Sequence, residues 1–192
     1  MNPLAINPGL AHQLLQGMLI GWAAIEVLFR LRNMGGRTTL DWTFGVVVAS
    51  VFAATNLGFR VAHVHSTLVG GGWAAVIAGL AVLAAGVALR TWAILTLGRM
   101  FKFVVVIQDG HRVVESGPYR LLRHPSYTGA LVAFLGAGIT LDSWLSMLAL
   151  VAIPLIAILV RIRVEEAELA TALGTQYSSY ASRTRRLVPG LW

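Results

Sequence analysis

Hydrophobic positions along the chain gather into five long runs separated by polar intervals. A helix that crosses the hydrocarbon core of a bilayer needs about 20 mostly apolar residues. Residues 10–31 supply the first, with Glu26 near the end and Arg30 and Arg32 as its flank. A glycine-containing turn over 33–39 follows. Residues 42–59 form a second run, tight in length, with Trp42 placed to anchor in the interface. The third, 73–97, is rich in Ala and Gly, which suits close helix packing in lipid. Arg90 lies inside it and is expected to face protein or to snorkel toward the headgroups. The fourth, 127–141, is short unless it begins at Pro125, where a proline suits the first helical position. Asp142-Ser143 is a tight turn, and one of the two is expected to cap the next helix. The fifth run, 144–160, continues unbroken into the polar stretch 161–169, with Gly174 as the expected C-terminal stop. Residues 177–186 are amphipathic and basic, the pattern of a helix lying in the interface.

The longest polar interval runs from Gln108 to Tyr127 and ends in Arg123-His124-Pro125-Ser126-Tyr127. Gly117-Pro118 marks a turn within it. The β-prone residues 103–107 and Val113-Val114 flank Gln108-Asp109-Gly110 and predict a short hairpin. No repeat and no low-complexity linker divides the chain. It reads as a single membrane-embedded domain over 1–192, with three spans in 10–98 and the polar loop, two spans and the C-terminal extension in 99–192.

Composition agrees. The 192 residues are 57% hydrophobic and 12% charged, against about 25% charged in a soluble domain. There is no cysteine, which excludes disulfides, thiolate metal sites and cysteine nucleophiles. A net charge of +7 would suit nucleic acid, but the basic residues sit at the ends of hydrophobic runs, where they act as topology signals and contacts to anionic lipid. Nucleic acid is therefore not an expected partner. Met1 to Gln16 contain no Lys or Arg, so the first run reads as a retained span rather than a signal peptide. With five spans, 13 of the 15 basic residues fall on one side; Arg60 falls on the other and Arg90 within a span. The positive-inside rule then puts the N-terminus outside and the C-terminus in the cytoplasm, as in a prokaryotic inner membrane. The polar loop and the charged extension share the cytoplasmic side.

Two constellations can carry chemistry. Arg161 and Glu165, four apart, share a helix face. A solvated helix end with internal ion pairs is the plain reading. Charges this close to a span are costly unless paired or used, so a functional reading stands beside it. Such an Arg can grip a carboxylate with its planar fork, and such a Glu can accept a proton or hold a cation. His124 heads a helix, where it is either a cap or interface residue or part of an anion site made by free N–H groups. Metal binding is disfavoured: there is no Cys and no H-x-x-x-H, and His63 and His65 are expected on the opposite side. The chain has no G-x-G-x-x-G, no G-x-x-x-x-G-K-[ST] and no G-x-S-x-G, so neither a dinucleotide fold, a P-loop nor a nucleophile elbow is supported.

The motifs Gly117-Pro118-Tyr119, then Arg123-His124-Pro125-Ser126-Tyr127-x-Gly129, then Glu165-Glu166-x-x-Leu169, Gly174, Tyr177 and Tyr180 are similar, in order and spacing, to the isoprenylcysteine carboxyl methyltransferase and phospholipid methyltransferase superfamily, in a prokaryotic-type form. The likeness covers roughly the C-terminal half. It implies an all-α integral membrane protein of about five transmembrane helices, with a cytosolic-side cofactor pocket and a C-terminal interfacial helix. It implies S-adenosyl-L-methionine as cofactor, S-adenosylhomocysteine as product, and a pocket lined by Gln108, His111, Arg112, Val113, Val114, Tyr119, His124, Pro125, Ser126 and Tyr127. Arg161 and Glu165 would be catalytic, with Arg163 a competitor for the arginine role. The partner would be a lipophilic or prenylated substrate entering from the bilayer, beside membrane lipids. An isoprenylcysteine-like carboxylate is the favoured acceptor; phospholipid amines or thiols, and an NADPH-dependent sterol-reductase-like enzyme, are the alternatives. A non-catalytic helical membrane scaffold is a further reading.

Overall fold

The computed structural model describes residues 8–32, 42–62, 72–98 and 113–190. The first arm and turn of the predicted hairpin, His63, His65, Gln108, His111 and Arg112 lie outside these residues, while its second arm, Val113-Val114, is irregular and not a strand.

Among the described residues six α-helices follow in order: α1 (Pro8–Arg32), α2 (Trp42–Val61), α3 (Trp73–Leu97), α4 (Pro125–Thr140), α5 (Trp144–Leu173) and α6 (Thr175–Arg183). A 3-10 turn, Gly117–Arg120, precedes α4. By length and composition α2, α3 and α5 can each cross a membrane. Large apolar side chains face outward along the bundle, among them Ile20, Phe52, Ile77 and Ile156, each at least 64% exposed. In water such a surface would drive aggregation, whereas in lipid it is solvated. Together with helices long and apolar enough to cross a bilayer, this marks an integral membrane protein. Helix α4 has 16 residues, about 24 Å, because it starts at Pro125 and stops one residue before Leu141.

Packing explains the small residues of the third and fourth runs. Gly79 and Gly86 lie seven apart on α3, and Gly129 and Gly136 lie seven apart on α4, so each pair forms one stripe two turns long. The stripes face each other antiparallel. A Cβ at Gly86 would fall 2.3 Å from the backbone nitrogen of Ala133, and one at Gly129 would fall 2.6 Å from that of Arg90. Only glycine allows these backbones to approach so closely, and in lipid such van der Waals contact replaces the hydrophobic drive. Helices α2 and α5 also pair antiparallel. Ser146 Oγ donates to the Gly58 carbonyl at 2.7 Å near one end, and Arg161 reaches Thr43 near the other. Both expected helix stops hold. Ser143 caps α5 by accepting from the Ser146 amide at 3.2 Å. Gly174, at φ +53°, ends α5 in the left-handed region that glycine adopts most readily.

The basic C-terminal helix is shorter than the predicted 177–186. It ends at Arg183, and residues 184–186 turn extended. They pair with the segment before α4: Arg185 N donates to Leu121 O at 3.0 Å, Arg123 N to Arg185 O at 2.7 Å and His124 N to Arg186 O at 3.1 Å. Backbone pairing to the Arg-His-Pro segment outweighs the continuation of a nine-residue helix.

Candidate active site

The antiparallel arrangement brings the start of α4, the start of α2 and the charged stretch of α5 to one end of the bundle. Tyr127 is in the first turn of α4. Its hydroxyl accepts from Arg161 Nε at 2.6 Å and donates to Glu165 Oε2 at 2.9 Å. Arg161 and Glu165 therefore meet through Tyr127. Arg161 is 4% exposed. It also donates through Nη1 to Thr43 Oγ1 at 2.8 Å, and its guanidinium carbon lies 5.9 Å from the centre of the Phe44 ring. The guanidinium is thus held at Nε and Nη1 with an aromatic ring beside it. Arg163 is exposed, so the arginine facing Tyr127 is Arg161.

The second constellation centres on Glu166. Arg123 Nε and His124 Nε2 lie 3.1 and 3.3 Å from its Oε1. Arg186 donates from Nε to Oε2 at 2.9 Å, and its Nη2 pairs with the same oxygen at 2.9 Å. Arg123 also donates to the Ala181 carbonyl. The His124 ring is 4% exposed and stacks on Tyr127, centroids 5.6 Å apart at 20°. The two constellations thus share one wall, the His124–Tyr127 stack.

The remaining expected positions surround this wall. Pro125 is fully buried at the first position of α4. Ser126 is buried, and its carbonyl accepts from Arg90 Nη1 at 3.2 Å. Arg90 in turn is paired bidentately with Glu26 of α1, whose Oε1 also accepts from Trp22. The arginine inside the third run therefore faces protein and does not snorkel. Val113 and Val114 are half-buried in an irregular stretch that leads to the 3-10 turn. Tyr119 is buried in that turn; burial, reinforced by the Glu165 carboxylate, holds its phenol well above the ordinary value. Its carbonyl and that of Leu122 accept from Tyr180 Oη at 2.9 and 3.2 Å. Burial pushes the Tyr180 phenol up to about 12 and raises that of Tyr177. The Tyr177–Tyr180 face of α6 thus packs under the loop, with the C-terminal segment strapped across it. Thr128 Oγ1 extends the strap by donating to Leu187 O at 2.8 Å.

Several of these residues escaped sequence reasoning. Glu165 and Glu166 are adjacent on α5, so they point about 100° apart and serve different faces. Glu26 and Arg90 each lie near the far end of a run crossing in the same direction, and that shared depth is a signal of pairing. Thr43 and Phe44 carry no signal in the sequence.

Residues 77–171 match the family profile described as the isoprenylcysteine carboxyl methyltransferase (ICMT) family. Over that stretch the chain is similar to the isoprenylcysteine carboxyl methyltransferase superfamily. It is 35% identical over 113 residues to "Protein-S-isoprenylcysteine O-methyltransferase B" of Arabidopsis thaliana, an alignment covering 58% of this chain and 57% of the relative. It is 33% identical over 119 residues to a "Probable protein-S-isoprenylcysteine O-methyltransferase" of Oryza sativa subsp. indica, covering 61% and 62%. The chain thus spans less than two thirds of the length of these curated relatives. Its fold resembles that of the eukaryotic intramembrane Ras methyltransferase ICMT at a TM-score of 0.64 and 24% identity, over 91% of this chain and 67% of the other. The stretch matched by the isoprenylcysteine carboxyl methyltransferase profile contains the α3–α4 glycine interface, the Arg-His-Pro-Ser-Tyr segment and the Arg161–Glu166 extension. Thr43 and Phe44 lie outside it.

Proposed function

We propose that this chain is an integral membrane methyltransferase, a single membrane-embedded domain that uses S-adenosyl-L-methionine to methylate the carboxylate of an isoprenylcysteine-like acceptor. The observation that carries this reading is the Arg161–Tyr127–Glu165 bridge set against the Arg-His-Pro-Ser-Tyr helix start. The likeness to the superfamily and the names of the similar proteins support the same chemistry. A basic C-terminal side in the cytoplasm and an N-terminus outside follow from the arginine distribution of the five runs.

The residues around His124 fit the carboxylate of such a cofactor. Arg123 and Arg186 outnumber the one carboxylate they share, so a net positive charge remains beside the start of α4, where the helix dipole also favours an anion. Gln108, His111, Arg112, Val113, Val114, Tyr119, His124, Pro125, Ser126 and Tyr127 are the proposed cofactor contacts, and S-adenosylhomocysteine is the product. Bound there, the cofactor supplies an electrophilic methyl group. The protein's task is then alignment, which is worth several kcal/mol when two reactants are held in line. Arg161 orients the acceptor carboxylate, which is already ionised at neutral pH and needs no base. Tyr127 and Thr43 hold the Arg161 fork, and Glu165 fixes the Tyr127 hydroxyl. The acceptor's apolar chain lies among the helices, reached from the bilayer.

The test is transfer of a labelled methyl group from S-adenosylmethionine to a prenylcysteine analogue by purified protein in lipid nanodiscs. Arg161→Lys, which loses the planar fork, is expected to lower turnover at least tenfold; Arg163→Lys should change it less than twofold. Binding of NADPH in place of S-adenosylhomocysteine would overturn the assignment, as would methylation of an amine or thiol acceptor with none of the carboxylate.

A further inference from the structure

Glu166 is the most heavily engaged carboxylate among the described residues. Three side chains surround its two oxygens: His124 Nε2 is 3.3 Å from Oε1, with Arg123 Nε at ion-pair distance, 3.1 Å, and Arg186 Nε and Nη2 are each 2.9 Å from Oε2. Those side chains come from the segment before α4 and from the C-terminal strap, while Glu166 itself is on α5. Its oxygens are committed, so it is not the group that takes a proton from an acceptor.

What it does control is the His124 ring. An ionised carboxylate only accepts hydrogen bonds, so the ring nitrogen facing it, Nε2, must carry the proton. The other side of the ring lies on Tyr127. Orientation is therefore fixed at two points and the protonated nitrogen at one, which leaves the Nδ1 edge as the side presented to a ligand. The same oxygen pair ties His124 to Arg186, whose backbone carbonyl accepts from the His124 amide at 3.1 Å. We infer that Glu166 is a positioning residue for the cofactor site: it holds His124 with Nε2 protonated and makes that setting depend on the docked C-terminal strap through Arg186. This rests on His124 contacting the cofactor, as proposed above. An ion pair that only fastened the strap would leave cofactor affinity and the ring's protonated nitrogen untouched.

Two readouts test it on the full-length protein in detergent. The first is calorimetric affinity for S-adenosylhomocysteine. Glu166→Gln is expected to weaken it at least tenfold, because a carboxamide donates as readily as it accepts and no longer dictates the ring nitrogen that is protonated. The same change made in a His124→Asn background should add less than twofold, since the residue it acts through is gone. Arg186→Gln leaves Glu166 in place and should weaken affinity about threefold, which keeps the test open should Glu166→Gln fold poorly. The second readout is the nitrogen NMR signature of labelled histidine, assigned through His124→Asn. The wild-type ring should be protonated at Nε2, and Glu166→Gln should give a mixture. A wild-type ring protonated at Nδ1 alone, or affinities of Glu166→Gln and Arg186→Gln both within twofold of wild type, would overturn the inference. Absence of S-adenosylhomocysteine binding by the wild-type protein would instead sink the proposed function, while the NMR readout still decides what Glu166 does to the ring.

Discussion

Replacing Tyr127 by Phe removes one oxygen atom and leaves the ring, so its stack on His124 and its packing against the cluster of Ile158, Ile162 and Leu187 stay. The oxygen makes two hydrogen bonds, at 2.6 Å from Arg161 and 2.9 Å to Glu165, both to charged partners. A hydrogen bond to a charged group contributes about 1.5–3 kcal/mol. The two losses do not add. Arg161 and Glu165 are four apart on one helix, so without the hydroxyl they can close on each other, and the net loss approaches that of one bond. That direct pair points the guanidinium along α5 instead of into the site, so the loss falls on acceptor alignment. At about 1.4 kcal/mol per tenfold in rate, turnover should drop roughly 10- to 150-fold. The assay is methyl transfer with saturating cofactor, beside calorimetric affinity for S-adenosylhomocysteine, which should move less than threefold. A folded Tyr127→Phe protein with turnover within twofold of wild type would refute the reasoning. An equal loss of cofactor affinity and turnover would assign the hydroxyl to the cofactor instead.

Gly129→Ala should destabilise the protein by about 1–3 kcal/mol, the usual cost of overpacking, because its Cβ would sit 2.6 Å from backbone rather than from a movable side-chain tip; thermal unfolding in detergent checks this, with Gly17→Ala, where the new Cβ meets nothing within 4 Å, as the neutral control. Alkaline pH should loosen the C-terminal strap. The Tyr180 pKa in the folded protein, about 12, lies above its unfolded value near 10. Its contribution to stability is therefore full below pH 10 and fades as pH rises from there through about 12. Phenolate absorbance at pH 10.5 should show Tyr119, Tyr177 and Tyr180 still protonated in the folded protein and ionised after denaturation; ionisation of all three at that pH without unfolding would contradict it.

Composition and run length were enough to determine the solvent this chain folds in. Runs of apolar residues with charges at their ends leave no soluble packing, and a helix satisfies its own backbone in lipid, so the all-α membrane class was legible directly. Local chemistry was legible too. Pro125, Ser143 and Gly174 set helix ends by effects that act within one turn, and the structure places each where expected. The Arg-His-Pro-Ser-Tyr and Arg161–Glu165 motifs were legible as local patterns, and the structure brings Tyr127, Arg161 and Glu165 together. What sequence reasoning could not supply was which side chain faces which partner across helices. The Glu26–Arg90 pair, the reach of Arg161 to Thr43 over 118 positions, and the division of labour between adjacent Glu165 and Glu166 all depend on helix rotation and registry. Those are decided by how closely α3 and α4 approach at four glycines and how α2 lies along α5. A one-residue change in facing turns a helix by about 100°, enough to exchange the two glutamates, and no run of hydrophobic residues in the sequence encodes that angle.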